Sequence, residues 1–166
     1  MLNYVEFYNM WFVNHYDFVE EGVKVMEIIE ARIEHFDKVY ELICELEQAS
    51  MNRQALYQVY TDNLSNKDIY YLLVVCGSEV IGFASLHIQR LLHHASSIGE
   101  LQEIIICDSK RGLGIGNMLF NHIKKVAAEQ GCSELEVCCS QKRKESHKFY
   151  LKNDMKNSHY KFTMVI

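Results

Sequence analysis

The pattern of apolar and polar residues becomes regular from Val25 onward, and its first part predicts a strand followed by two helices. Residues 25–29 form an apolar run that is typical of a strand. Asp37 is a plausible helix N-cap. Behind it, apolar residues recur at the spacing of one helix face: Val39, Leu42, Ile43 and Leu46. A second helix is predicted over residues 53–63.

The middle of the chain is rich in β-branched and aromatic residues, which favour strands. Residues 70–76 and 80–87 are two such runs, and Gly77-Ser78-Glu79 between them predicts a hairpin turn. Residues 100–107 form a further strand pattern.

A long amphipathic helix follows, and shorter elements end the pattern. One face of the helix carries Ile115, Leu119, Phe120, Ile123, Val126 and Ala127. Gly131 suits its C-terminal cap. Residues 135–139 predict a strand, 146–153 a short helix, and 156–166 two short strands or one bent strand. The order β-α-α-β-β-β-α-β-α-β predicts an α/β fold of the α+β type, a mixed central sheet with helices on both faces.

The first 22 residues differ from this pattern, and we expect them to form an extension to a single domain at residues 23–166. The extension is crowded with aromatic residues: Tyr4, Phe7, Tyr8, Trp11, Phe12, Tyr16 and Phe18. Such a cluster is unfavourable in water. We therefore expect it to cover the core as a short amphipathic helix, or to pack on a second subunit in a homodimer.

Composition narrows the class of protein. The chain has 166 residues, 49% of them hydrophobic, which suits one globular domain. No apolar run reaches the roughly 18 residues of a membrane span, and no signal-peptide pattern opens the chain, so a cytoplasmic location is expected. The net charge of −5, without a basic run, argues against nucleic acid or membranes as partners.

The six cysteines contain no C-x-x-C pair. Cys44, Cys76, Cys107 and Cys138 lie in apolar segments. We interpret them as small buried hydrophobic residues of a protein in a reducing compartment. A zinc site or a disulfide is the less favoured interpretation.

One glycine-rich turn between a predicted strand and the long helix is the strongest candidate site. It consists of Arg111, Gly112, Leu113, Gly114, Ile115 and Gly116. Glycines let a ligand approach the backbone, and a helix start presents free N–H groups and a positive dipole end. The turn therefore predicts a pyrophosphate-binding site. A Rossmann dinucleotide site fits poorly, because the order of elements differs.

This turn, in this order of elements, resembles that of the GNAT superfamily of N-acetyltransferases. The superfamily carries Arg or Gln, two residues, Gly, one residue, then Gly or Ala, and Arg111, Gly114 and Gly116 match these places. A second superfamily element ends in Phe-Tyr, matched by Phe149-Tyr150. Ser146 replaces its usual alanine and Arg143 its usual asparagine.

The resemblance implies acetyl-CoA as co-substrate and a fourth strand that bulges and splays from the fifth. The pantetheine arm would pair with the exposed backbone of Ile104, Ile105 and Ile106, and an N–H there would stabilise the oxyanion. Glu103 matches the acidic residue that accepts the amine proton. Glu100 is the alternative base. A regular strand would turn it to the face opposite Glu103, and a bulge could change that.

The resemblance also implies that Tyr150 protonates the leaving thiolate. A phenol with a pKa near 10 is a suitable donor to a thiolate.

Further blocks, at residues 39–46, 91–94, 98–103, 142–143, 147–151 and 158–163, are similar to aminoalkylphosphonate N-acetyltransferases. A phosphonate is an anion that Arg, Lys, His or a divalent metal could bind. The candidates for substrate binding are His93, His94, Glu100, Arg143 and His159, with Lys142 and Lys161 as further cations. One of the two adjacent histidines could hold a divalent metal with Glu100 or Glu103.

The favoured function is therefore acetyl transfer to the amine of a small aminoalkylphosphonate by direct attack on the thioester. The alternatives are an N-acetyltransferase for another small amine, an aminoglycoside or a polyamine, and a non-catalytic acyl-CoA-binding regulatory domain.

Overall fold

The computed structural model describes residues 25–166, so the predicted aromatic extension lies outside the described residues. Within this range the strands are β1 (Met26–Glu30), β2 (Ile69–Cys76), β3 (Glu79–Leu91), β4 (Ser96–Ile106) and β5 (Cys132–Val137). The helices are α1 (Phe36–Glu47), α2 (Arg53–Leu64), α3 (Ile115–Glu129) and α4 (Lys144–Lys152). Short 3-10 turns cover Ile33–His35 and Asp108–Lys110.

The strands form one mixed sheet in the order β1-β2-β3-β4-β5. The first four are antiparallel neighbours, whereas β5 runs parallel to β4. A parallel neighbour requires a crossover, and α3 supplies it. The predicted α/β architecture with a mixed central sheet is confirmed.

Helices cover both faces of the sheet, as the sequence predicts. On one face, α3 buries Leu119, Phe120 and Ile123 against β2, β3 and β4. On the other, α1 and α2 bury Phe36 and Tyr60, among others, against the same strands. We call these the α3 face and the α1/α2 face.

The central hairpins are longer than the sequence predicts. Gly77 and Ser78 form the two-residue turn between β2 and β3, with Gly77 at a φ of 65°, which confirms the first hairpin. However, β3 continues to Leu91 and β4 already begins at Ser96. The pairing therefore extends through polar residues that the sequence pattern treats as loop.

Two irregularities of β4 shape the molecule. Ser85 pairs with Glu103 and Leu86 with Leu101, so Gln102 is an extra residue, a β-bulge. The ladder between β4 and β5 ends at Leu101 and Val137. Beyond that point the two strands separate, and the predicted splayed pair is present.

Two expectations about individual elements, the cap of α1 and the bounds of β5, are wrong. Asp37 lies in the first turn of α1 rather than at its N-cap, which is His35. The Asp37 carboxylate instead accepts a hydrogen bond from Arg53. The fifth strand begins three residues before the predicted Leu135 and ends two residues early.

Residues 156–166 form no strand, although apolar residues alternate with polar ones in this segment. Its apolar side chains are exposed, Phe162 at 92% and Ile166 fully. A strand needs a hydrogen-bonded neighbour, and no ladder in residues 25–166 includes this segment.

The cysteines are less buried than expected. None of the six, all of which lie within residues 25–166, forms a disulfide. Cys138 is exposed and the other five are only partly buried, because they lie at strand ends, in the β5–α4 loop or, for Cys44, on α1. In the part of the chain that the structure covers, no helix is long and apolar enough to cross a membrane.

Candidate active site

The gap between β4 and β5 is the centre of the candidate site. The N–H of Cys107 donates to Ile81 O in β3 at 2.9 Å. Because N–H direction alternates along a strand, the N–H groups of Ile106 and Ile104 point away from β3, toward the gap. The side chains of Ile105 and Ile106 are buried. Only the backbone of these residues is thus available to a ligand.

The glycine turn leads from β4 into α3. Gly112 and Gly114 have φ of 79° and 81°, and no atom lies within 4 Å of a Cβ built on either. Gly114 O accepts from the N–H groups of Asn117 and Met118. The N–H groups of the preceding residues lie at the open end of the helix, where an anion binds favourably.

Gly116 and Ile115 complete the turn in different ways. A Cβ at Gly116 would lie 3.6 Å from Phe149 Cε2, so this glycine packs beside α4. The Ile115 side chain is buried in the α3 core, while Leu113 is largely exposed. The turn is therefore anchored at its inner end and open at its outer end, as a pyrophosphate cradle requires.

Arg111 binds protein groups on three sides. Its Nε donates to Ile106 O at 2.9 Å and its Nη1 to Asp108 Oδ1 at 3.0 Å. Its Nη2 donates to Glu45 near the end of α1. The guanidinium thus connects β4, the turn and α1.

Glu103 lies on the α1/α2 face, directly opposite Ser85. Its carboxylate accepts a hydrogen bond from Ser85, which lowers the pKa, but burial raises the pKa more, and the nearby Glu47 raises it further. A half-buried carboxylate with a raised pKa beside the splayed strands has the properties of a general base.

The bulge brings Glu100 to the same face. Glu100 pairs with His87, and Ser85 and His87 share a face because they are two residues apart. Gln89 Nε2 donates to Glu100 Oε2 at 2.6 Å. Of the two outcomes that the sequence leaves open, the bulge is the one present: the extra residue Gln102 turns Glu100 to the face of Glu103.

Ser85 and His87 are site residues that sequence reasoning missed. Ser85 is fully buried, and His87 Nε2 lies 2.9 Å from its Oγ. The available signal was the alternation Ala84-Ser85-Leu86-His87, which places two polar side chains on one face of a strand.

Tyr150 lies on α4 and packs against Phe120 and Phe149, with ring centroids 6.3 and 5.4 Å away. Burial raises the pKa of Tyr150 to about 12; Cys139 also raises it, and Arg143 lowers it. The phenol therefore keeps its proton at neutral pH, as a proton donor must.

Arg143 ties the start of α4 to the end of α1. Its Nη2 donates to Leu46 O and to Glu47 Oε1, both at 2.9 Å. A cation at a helix C-terminus is favourable. Since Glu47 acts on Glu103 and Arg143 acts on Tyr150, the two candidate catalytic residues lie on either side of this contact.

The three histidines proposed for substrate binding lie further out. His93 and His94 occupy the turn between β3 and β4, their ring centroids 4.3 Å apart. His94 Nε2 is 3.9 Å from Glu136, which pairs with Glu100 across the β4–β5 ladder. His159 lies in the exposed C-terminal segment and contacts Ser158.

These positions do not assemble the metal site that the sequence suggested. Among residues 25–166, no group of three His, Cys, Asp or Glu side chains is close enough to hold a metal ion. His94 lies near Glu136, which pairs with Glu100 in the β4–β5 ladder, and none of these contacts includes Glu103.

A parallel strand pair that splays, followed by a glycine turn at the start of a helix, is the arrangement expected of an acyltransferase. The sequence profile described as the acetyltransferase (GNAT) family matches residues 33–155. The chain belongs to this family and is an N-acetyltransferase. Acetyl-CoA is the co-substrate of the family, and the open cradle suits its pyrophosphate.

Curated relatives lie in the same family. The chain is similar to an aminoalkylphosphonate N-acetyltransferase of Salmonella typhimurium (strain LT2), 37% identical over 147 residues, which are 89% of this chain and 96% of the relative. It is also similar to glucosamine 6-phosphate N-acetyltransferase 1 of Dictyostelium discoideum, 23% identical over 81% of this chain and 85% of that protein.

Solved structures agree on the fold. A transcriptional regulator from Bacillus halodurans C-125 superposes with a TM-score of 0.78, at 17% identity, over 85% of this chain and 99% of its own. An aminoglycoside N-acetyltransferase in complex with CoA has a TM-score of 0.77, also at 17% identity, over 85% of this chain and 94% of its own.

Proposed function

We propose that this N-acetyltransferase transfers the acetyl group of acetyl-CoA to the amine of small aminoalkylphosphonates. The observation that carries the substrate is the 37% identity to the Salmonella aminoalkylphosphonate N-acetyltransferase, which extends over 96% of that relative. Similarity over a whole enzyme includes the acceptor side of the site as well as the coenzyme side.

In the proposed reaction, Glu103 takes a proton from the substrate ammonium, and the free amine attacks the thioester carbonyl. An N–H of β4 that faces the gap, at Ile104 or Ile106, stabilises the oxyanion. As the C–S bond breaks, Tyr150 gives its proton to the coenzyme A thiolate. The nitrogen loses its second proton to solvent as it becomes the amide nitrogen, and the tyrosinate takes up a proton from solvent.

The charges of the α1/α2 face support recognition of a zwitterionic substrate. Glu100 and Glu103 share that face and suit the ammonium end. Arg143 suits the phosphonate: both of its hydrogen bonds use Nη2, and a guanidinium has five N–H donors. His93, His94 and His159 remain candidates for the same anion.

The test is a substrate panel at fixed acetyl-CoA, with thiol release as the readout. We expect kcat/KM for 2-aminoethylphosphonate and 1-aminoalkylphosphonates to exceed that for ethylamine by at least about a hundredfold, because a lost charged hydrogen bond costs roughly 1.5–3 kcal/mol per bond. Glucosamine 6-phosphate, an aminoglycoside and spermidine complete the panel. A higher kcat/KM for any of these would overturn the substrate assignment.

Two further parts of the proposal concern the whole protein. The aromatic residues before residue 23 support a homodimer, since a second subunit would remove them from water. Light scattering of the full chain and of a variant lacking residues 1–22 tests this: we expect a dimer and a monomer, respectively. The cytoplasmic location stays a prediction.

A further inference from the structure

A polar chain of three side chains crosses the α1/α2 face of β3 and β4. Ser85, fully buried, is hydrogen bonded to the carboxylate of Glu103 on the neighbouring strand. On its other side, Ser85 Oγ lies 2.9 Å from His87 Nε2. The pairing of Ser85 with Glu103 and the two-residue step to His87 fix this order through the backbone.

Few other titratable side chains surround Glu103. Burial and the nearby Glu47 raise its pKa, and Glu103 in turn raises the pKa of Tyr71. Tyr71 accepts a hydrogen bond from Asn63, and burial raises its pKa, so it keeps its proton. The Glu47 carboxylate is paired with Arg143, and a guanidinium stays protonated. Of the basic side chains that these contacts connect to Glu103, His87 is therefore the one that can take up a proton.

A serine hydroxyl has one hydrogen, so the chain has two arrangements. When Glu103 is ionised, Ser85 donates to the carboxylate and accepts from the Nε2–H of His87. When Glu103 is protonated, it can donate to Ser85, and Ser85 can then donate to an unprotonated Nε2. Going from the second arrangement to the first moves one proton from Glu103 to His87.

We propose that His87, acting through Ser85, receives the proton that Glu103 removes from the amine. This proposal rests on the role of Glu103 in the proposed function. Glu103 gives its O–H proton to Ser85 Oγ, the Ser85 O–H proton passes to Nε2 of His87 in its Nδ1–H tautomer, and the imidazolium loses the Nδ1 proton to water. Glu103 is then an ionised carboxylate again, Ser85 is a hydroxyl again, and His87 is left as its Nε2–H tautomer. Proton exchange with water at the two ring nitrogens returns His87 to the Nδ1–H tautomer before the next turnover.

The protonation states suit this transfer. Burial lowers the pKa of His87, although Glu100 opposite it raises the pKa again. Burial raises the pKa of Glu103. The two pKa values are thereby brought closer together, which lowers the cost of passing a proton between the groups. His87 is only partly buried, so water can reach it.

The first experiment measures the connection without using activity. The pKa of the His87 imidazole is measured by NMR in the wild-type protein and in Glu103→Gln, and again for both in a Ser85→Ala background. We expect Glu103→Gln to shift the His87 pKa with Ser85 present, and to shift it by less than half as much in the Ser85→Ala background. Equal shifts in the two backgrounds would show that Ser85 does not connect the groups.

The second experiment tests the role in turnover. His87→Gln keeps an N–H that can donate to Ser85 but cannot take up a proton. We expect kcat to fall about tenfold, less than the factor of roughly 10²–10⁴ for loss of a direct base, and added imidazole to restore part of it. Arg90→Gln, on the same strand in an exposed pair with Asp68, is the control and should be unchanged.

The outcomes separate the two proposals. If acetyl transfer is normal in His87→Gln with no imidazole effect, the relay is wrong and the proposed function stands. If Glu103→Gln keeps full activity while the NMR connection is present, Glu103 is not the base, and the chain of hydrogen bonds has no part in catalysis.

Discussion

The Nε of Arg111 donates a hydrogen bond of 2.9 Å to the carbonyl oxygen of Ile106, so the first residue of the glycine turn is fastened to the last residue of β4. The contact fixes the direction in which the chain leaves the splayed strand. Its further bonds to Asp108 and Glu45 extend the same restraint to α1. Arg111 thus positions the glycine turn through its contacts with other protein groups. This role does not depend on any contact between Arg111 and the phosphates of acetyl-CoA.

We expect Arg111→Gln to raise the KM for acetyl-CoA about tenfold with a smaller change in kcat, because the cradle loses its attachment to β4. Loss of charge-assisted hydrogen bonds should also lower the free energy of unfolding by about 1–3 kcal/mol. Steady-state kinetics and denaturant unfolding measure the two effects. Lys110→Gln removes the neighbouring charge without these bonds; if both variants behave alike, the role of Arg111 is one of charge alone.

The two ends of the glycine turn should respond differently to alanine. Gly114→Ala introduces a Cβ at a φ of 81°, which costs about 1–2 kcal/mol and narrows the cradle, so both stability and acetyl-CoA affinity should fall. Gly116→Ala meets only ordinary contacts, 3.6 Å from Phe149, and should stabilise α3 by about 0.5 kcal/mol. Thermal unfolding and calorimetric binding of acetyl-CoA distinguish the two variants.

We expect Tyr150→Phe to lower kcat by about 10²-fold or more while the dissociation constant of acetyl-CoA stays within about twofold. The reason is that a proton donor acts only as the thiolate leaves. Because burial raises the pKa of Tyr150 to about 12, the wild-type enzyme should show no basic limb from this residue below about pH 10. Tyr57→Phe, an exposed tyrosine, is the control. Unchanged turnover in Tyr150→Phe would remove the residue from the mechanism.

Glu103→Gln should stabilise the protein at neutral pH. The raised pKa of Glu103 means that the folded state binds this proton more tightly than the unfolded chain. That contribution to stability is fully present below the ordinary pKa of 4.5 and is lost as the pH rises through the raised value. A neutral amide avoids the loss.

The measurement is Tm against pH for the wild type and Glu103→Gln. The difference in Tm should be small at pH 4 and should grow in favour of the variant toward pH 8. Glu134→Gln, at an exposed position of β5, controls for the change in net charge. A Tm difference that does not depend on pH would show that burial does not disfavour the ionised form of Glu103.

The parts of the fold that sequence predicts well are those in which burial and periodicity agree. In α3, Leu119, Phe120 and Ile123 recur at helical spacing and are fully buried, and the helix ends one residue before Gln130, close to the predicted Gly131. The position of the glycine turn was also predictable, because its glycines stand between a strand pattern and a helix pattern, and Gly112 and Gly114 do adopt positive φ there.

The missed features depend on partners that the local pattern does not contain. β3 extends beyond the predicted His87, through Gln89 and Arg90, because β4 pairs with these residues, and paired backbone tolerates polar side chains. The segment 156–166 alternates like a strand but lacks a paired neighbour among the described residues. The bulge at Gln102 has no signature in the letters around it, so the shared face of Glu100 and Glu103 could be named only as one outcome.

That bulge sets which residues of β4 share a face, so the spacing of Glu100 and Glu103 along the chain has to be read together with it. Removing Gln102 would restore strict alternation and leave the two carboxylates two residues apart, again on one face and with Glu100 still opposite His87. A relative that lacks this residue can therefore present the same pair of carboxylates with a different spacing. When such relatives are aligned, a gap placed before Glu100 instead of at Gln102 would match Glu100 with a residue of the opposite face.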